Sequence, residues 1–160
     1  MIRPVRPPDS PEICALYNYY VRGTTVTFEE DPVSPGEMKR RIGEITERFP
    51  WFVYEQDGTV VGFAYAGPWK GRSAYRYTVE STVYVHKDFL GRGIGSSLYQ
   101  RLIMDLREQG LHSVLGCIAL PNPASQALHE KVGFTQVAHF TQVGFKFGSW
   151  LDVGYWELVL

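Results

Sequence analysis

Six consecutive residues, Gly91-Arg92-Gly93-Ile94-Gly95-Ser96, stand between a β-branched run ending Val83-Tyr84-Val85 and a helical pattern beginning at Ile94. Three glycines at alternate positions carry no Cβ, so their backbone N–H groups can press against a large anion. A helix opening at the same point adds unpaired donors and the positive end of its dipole. This is the composition of a pyrophosphate seat. A dinucleotide fits it poorly. Ser96 occupies the place of the third glycine in a G-x-G-x-x-G fingerprint, and the following strand, residues 113–120, has no acid for a ribose hydroxyl. A nucleoside triphosphate loop fits less well still, because no Lys-Ser or Lys-Thr follows the glycines.

Two side chains could move protons. Glu80 lies in a segment otherwise written in Thr, Val, Ser and Tyr, where a carboxylate is costly unless it is paired or has a task. Period-two alternation puts Thr78, Glu80, Thr82 and Tyr84 on one face and Val79, Ser81, Val83 and Val85 on the other. Glu80 is read either as a general base or as an edge-strand or salt-bridged glutamate. His129, in a short helix, is either a proton relay or a packed helix histidine. His86, His112 and His139 have no metal-ligand spacing, so no metal is expected. Lys70 and Arg72, close to Trp69 and Tyr75, either bind an anion or belong to a solvated loop. Asn122 before Pro123 reads as a helix cap, with Ser125 one turn on.

These groups need a scaffold, and the pattern supplies one. Ile2 to Arg6 reads as a strand. A helix capped by Ser10 follows, with Ile13, Leu16, Tyr17, Tyr20 and Val21 as its apolar stripe and Gly23 as its end. Thr24 to Glu30 is a link of weak periodicity containing Phe28. Ser34-Pro35-Gly36-Glu37 is a capping box for a helix carrying Met38, Ile42, Ile45 and Phe49. Asp57-Gly58 turns one strand, 51–55, into another, 59–66. The longest strand is expected over 75–85. After the glycine loop, Ile94, Leu98, Leu102 and Leu106 mark a helix that stops at Gly110. Residues 113–120 read as a strand buried on both faces. A short helix to Gly133 and two strands, 134–143 and 150–159, complete the order β α α β β β α β α β β. The expected fold class is therefore mixed α/β, in a single domain spanning 1–160, with the glycine turn near the middle of the sheet.

Composition sets the outer bounds. The 160 residues are 44% hydrophobic and 14% aromatic, enough for a packed core. Sixteen Lys and Arg against 17 Asp and Glu, spread along the chain, leave a net charge of −1. That excludes the basic stripe of a nucleic-acid binder, so no nucleic-acid partner is expected. No run approaches the ~20 apolar residues of a membrane span and no signal segment opens the chain, so no membrane partner is expected. Cys14 and Cys117 are expected on buried faces, as core residues of a cytoplasmic protein rather than a disulfide.

The strand, Gly-x-Gly-x-Gly turn and helix, followed by a strand, an Asn-x-x-Ser helix start and a Gly-Phe, resemble the acetyl-CoA core of the GNAT N-acetyltransferases. Leu90 stands where that family's loop has Gln or Arg. The segments Gly67-Pro68-Trp69-Lys70, Thr78 to Val85, Leu128-His129-Glu130, Thr25-Val26-Thr27-Phe28 and Gly144 to Gly154 resemble the phosphinothricin N-acetyltransferase subfamily, so the likeness covers nearly the whole chain. It implies the GNAT acyl-CoA fold, a mostly antiparallel twisted sheet flanked by helices, with acetyl-CoA as cosubstrate and a homodimer as the assembly. It implies Glu80 as the base. It also places acetyl-CoA on the backbone of Val83, Tyr84 and Val85, on the loop Gly91, Arg92, Gly93, Ile94, Gly95 and Ser96, and on Asn122 and Ser125. The acceptor, a small amino acid analogue such as phosphinothricin, methionine sulfoximine or methionine sulfone, would meet Phe28, Trp69, Lys70, Arg72 and Tyr75. Lys146, Trp150 and Asp152 are candidates to complete that pocket. Another amine, a protein N-terminus or a non-catalytic acyl-CoA sensor are the alternative readings.

Overall fold

The computed structural model describes residues 1–160, and one seven-stranded sheet runs through it. In chain order the elements are β1 (Ile2–Pro4), α1 (Ser10–Gly23), α2 (Pro35–Thr46), β2 (Trp51–Gln56), β3 (Thr59–Pro68), β4 (Thr78–Val85), α3 (Ile94–Glu108), β5 (Ser113–Leu120), α4 (Pro123–Lys131), β6 (Thr135–Lys146) and β7 (Ser149–Val159). The spatial order is β1-β2-β3-β4-β5-β7-β6. Only β4 and β5 run parallel, joined by the crossover through α3; every other pair is antiparallel. The expected mixed, mostly antiparallel sheet flanked by helices is the one observed.

Each face of the sheet buries its own core. Ile13 and Leu16 of α1 and Met38 and Ile42 of α2 pack on Trp51, Val53, Val60 and Phe63. On the opposite face Leu98, Leu102 and Leu106, all fully buried, carry α3 onto Phe52, Val61, Ala64, Val79, Val114 and Ile118. Period-two strands pressed between helices of period 3.6 force this division. It confirms the alternation in β4: Val79, Val83 and Val85 join the α3 core, while Tyr84 joins the α1–α2 core.

Several local expectations are corrected. Ser10 is the first helical residue rather than the cap. Its hydroxyl donates to the Pro7 carbonyl, and Asp9 ahead of it is held by Arg3. Ser34 does cap α2, accepting from the Glu37 amide, but the Glu37 carboxylate turns to Arg40 and Arg41 instead of closing a reciprocal box. Strand β4 begins at Thr78, not at residue 75, because Ser73–Tyr75 forms a 3₁₀ turn. Cys14 is buried as expected, but Cys117 is exposed and both are free.

The decisive feature is the junction of β4 and β5. Their ladder covers only Thr78 to Ser81 against Ser113 to Gly116. Beyond it, β4 stays paired to β3 as far as Val85 and β5 stays paired to β7 as far as Leu120, but not to each other. The two strands fork, and the inner edge of residues 82–85 is left without a ladder partner.

Candidate active site

The fork opens into a cleft of about 270 Å³. Its walls include Glu80, Ser81, Thr82, Val83 and Tyr84 from β4, Cys117, Ile118 and Ala119 from β5, and Asn122, Ser125 and His129 at the start of α4. Alternation puts Glu80, Thr82, Tyr84 and Cys117 on the α1–α2 face of the sheet. Ser81, Val83, Gly116 and Ile118 lie on the α3–α4 face. The cleft therefore passes through the sheet and brings together groups from both sides.

Beyond the Val85 end of the cleft lies a run of donors. No backbone N–H from Gly91 through Ser96 has a protein acceptor, and the first helical bond of α3 runs from the Ser97 amide to the Gly93 carbonyl. Gly91 and Gly93 have φ of +75° and +78°, a left-handed backbone that a Cβ would strain. Gly95 has a different reason: a Cβ there would meet Leu128 of α4 at 3.1 Å. Six successive free amides at a helix N-terminus are the donors an anion would need. Arg92, its guanidinium stacked over Phe89 at 4.8 Å, adds positive charge to the loop.

On the α1–α2 face Glu80 is half-buried and its carboxylate has neither a hydrogen bond nor an ion pair within the protein. Burial raises its pKa, and the positive field of Lys70 opposes that rise. A carboxylate so placed is more basic than a free glutamate. Tyr17, Thr27, Phe28 and Tyr65 enclose the same end. Trp69 and Tyr75 meet edge to face at 5.3 Å, and Lys70 lies over Trp69 at 5.1 Å. These residues and the exposed Arg72 lie in the β3–β4 connection, outside the walls of the cleft.

On the other face His129 is only 3% exposed. Its Nδ1 lies 2.7 Å from the Ser125 carbonyl and its Nε2 lies 2.7 Å from the Tyr99 hydroxyl. A carbonyl only accepts, so Nδ1 carries the proton and Nε2 accepts from Tyr99. Ser81 Oγ completes the chain, 3.1 Å from the same phenol. Burial lowers the His129 pKa, partly offset by the bond to Ser125, so the ring is uncharged at neutral pH. Gly116 is required beneath it, since a Cβ there would collide with Nε2 and Cδ2 of the imidazole. Asn122 caps α4 through Oδ1, accepting from the Ser125 amide at 3.1 Å, and its side chain also faces the cleft.

The structure thus gathers Phe28, Glu80, Val83, Tyr84, Asn122, Ser125 and His129 in one cleft, and sets Val85 and the 91–96 loop beyond its end. It does not bring Lys146, Trp150 or Asp152 there. Lys146 is buried beneath the surface, Trp150 is exposed beside Phe145, and Asp152 is occupied by His139 at 2.7 Å and the Gln142 amide. Tyr17, Tyr65 and Cys117 are wall residues that the sequence pattern assigns to a helix stripe or to strands, and Tyr99 is a wall residue that the α3 stripe omits. For Tyr99 the available signal is a phenol beside Leu98 in an otherwise aliphatic stripe, since a buried hydroxyl needs a partner.

Comparison with known proteins agrees with this geometry. The chain matches the model of the Acetyltransferase (GNAT) family over residues 13–134, and it belongs to that family. It is 43% identical to the phosphinothricin N-acetyltransferase of Streptomyces viridochromogenes, a match covering 98% of this chain and 85% of that one. It is 37% identical to the L-methionine sulfoximine/L-methionine sulfone acetyltransferase of Salmonella typhimurium, covering 95% and 90%. The crystal structure of a phosphinothricin acetyltransferase from Sinorhizobium meliloti in complex with acetyl-CoA superposes with a TM-score of 0.97 at 33% identity, covering all of this chain and 88% of that one. These relatives are named for acetyl transfer to phosphinothricin or to methionine sulfoximine and methionine sulfone.

Proposed function

We propose that this enzyme moves acetyl from acetyl-CoA to the α-amino group of a small amino acid analogue, such as phosphinothricin, methionine sulfoximine or methionine sulfone. Transfer is direct, within a ternary complex. The observation that carries this reading is the run of six free amides at the end of a strand whose inner edge is also unpaired. The amides of Gly91 to Ser96 take the diphosphate. The pantetheine arm lies along Val83, Tyr84 and Val85 in the fork, where main-chain groups of β4 hold it and polarise the thioester carbonyl. Asn122 and Ser125 border the opposite lip.

An α-amino group has a pKa of about 8 and must lose a proton to attack. Glu80, with its pKa raised by burial, accepts it. The amine nitrogen bonds to the thioester carbon, the C–S bond breaks, and the nitrogen sheds its second proton as the thiolate leaves and is protonated. The Ser81–Tyr99–His129–Ser125 chain offers a route for returning a proton to that thiolate. Lys70 and Arg72, beside Trp69 and Tyr75, supply positive charge for the acceptor's acidic groups, and Phe28 walls its side chain. One catalytic domain of 160 residues suffices for this chemistry. The relatives' names support the acceptor class.

We also propose a cytoplasmic homodimer. The outer strand β6 and its hairpin expose Phe140, Val143, Phe145, Phe147 and Trp150, apolar surface that association with a second copy would withdraw from water. The catalytic reading is tested with Glu80→Gln. This variant should bind acetyl-CoA as the parent does and lose about 10²–10⁴-fold in kcat. An unchanged kcat removes Glu80 from the mechanism. Cofactor binding without turnover on any amine would instead identify a sensor.

A further inference from the structure

Lys146 is a charge without a carboxylate. It is 1% exposed, at the end of β6, and its ammonium donates to two main-chain carbonyls, Val21 at 2.9 Å and Thr27 at 2.8 Å. Its third side faces the Phe147 ring at 5.0 Å. Burial lowers its pKa, while Glu29 and Glu30 act on it only through their fields. Enclosing an ammonium costs far more than enclosing a methionine of similar shape. Bonds to two carbonyls more than a hundred residues away in the chain define a backbone path rather than neutralise a charge.

That path leads to the cleft. Val21 lies in the last turn of α1, where carbonyls lack helical partners and favour a cation. Thr27 lies in the irregular 24–30 segment, whose Val26, Thr27 and Phe28 all face the cleft. The segment has few bonds of its own. The Thr27 hydroxyl meets the Tyr17 phenol at 2.8 Å, and the Glu29 carboxylate is gripped by Arg41. Two residues before Lys146, Gly144 lies so close to the Phe28 ring that any Cβ would overlap it. The same short stretch of β6 therefore holds the segment's backbone and seats its aromatic side chain.

We propose that Lys146 is a positioning residue for the acceptor half of the site, clamping the 24–30 segment so that Phe28 stands against Gly144 as the wall of the amine pocket. The role rests on reading the Phe28 end of the cleft as the place of the amine. It explains a lysine in the terminal hairpin that touches neither solvent nor cleft. The clamp is selective by position: it lies on the Glu80 side of the sheet and makes no contact with the 91–96 loop.

The test compares Lys146→Met, Gly144→Ala, Phe28→Ala and the Lys146→Met/Phe28→Ala pair. Lys146→Met should raise KM for the amine about tenfold, in line with the loss of charge-assisted hydrogen bonds, and leave KM for acetyl-CoA unchanged. Gly144→Ala, which displaces Phe28 without touching any charge, should move the same constant. If Lys146 acts through Phe28, the paired variant should be little worse than Phe28→Ala alone. Additive losses, or equal rises in both KM values, overturn the proposal. Hydrogen exchange gives a readout independent of turnover: amides of 24–30 should exchange faster in Lys146→Met while those of 91–96 do not change. Unaltered exchange over 24–30 overturns the clamp even if no amine substrate is found. Altered exchange with no turnover in the parent would sustain the clamp and reject the catalytic reading.

Discussion

Glu80 and His129 are both half or fully withdrawn from water, yet burial acts on them in opposite senses. It raises the carboxylate's pKa and lowers the imidazole's, because in each case the charged form is the one disfavoured. Lys70 works against the first of these effects. Lys70→Ala should therefore push the Glu80 pKa higher still and move the acidic limb of the kcat/KM profile to higher pH, a displacement that shrinks with added salt. A limb that stays in place would show that Lys70 does not govern Glu80. For His129 the linkage concerns stability. A base whose folded pKa is depressed below its unfolded value of 6.5 gives stability that is complete above that value and is lost as pH falls below it. Urea midpoints should decline on acidification from about pH 6.5, and His129→Gln should flatten that decline.

At the scale of elements, the helix α4 sits where it does because β5 carries no side chain at residue 116. Gly116→Ala should cost about 1–3 kcal/mol, the usual penalty of overpacking, and should break the bond between Tyr99 and His129. Thermal melts with imidazole resonances read by NMR would show both effects, and an unperturbed ring would refute the steric argument. Neither contact is visible in the sequence. The apolar spacing of Leu98, Leu102 and Leu106 specifies α3, and the three glycines specify a tight turn into it, because both depend on neighbours within a few residues. The strand start at Thr78 is not legible, because Tyr75 and Tyr77 have strand propensity but belong to a 3₁₀ turn and its exit. Cys117 departs from expectation for a longer-range reason. It lies in an apolar run with nothing local to mark it, and only the loss of β4 as a neighbour leaves its side exposed.

For the whole molecule, the terminal hairpin joins two roles. Its inner side carries Lys146 and Gly144 against the 24–30 segment. The hairpin also leaves Phe140, Val143 and Trp150 exposed by 46%, 59% and 62%, with Phe140 opposite Val153 and Trp150 opposite Phe145 on the other face of the hairpin. Edge strands with such faces associate unless charge or a covering element prevents it. Phe140→Asp combined with Val143→Asp should convert a dimer into a monomer in analytical ultracentrifugation. A parent enzyme that already sediments as a monomer would disprove the assembly.

The fork between β4 and β5 has one more outcome. Four rungs, Thr78 to Ser81, are the only strand pairing between the first four strands of the sheet and the last three. A guest lying between the two lips and bonding to both lengthens that seam, doing for the molecule what further backbone pairing would otherwise do. Loading the enzyme is then also a way of bracing it, and heat tolerance should climb with the concentration of the thioester carrier.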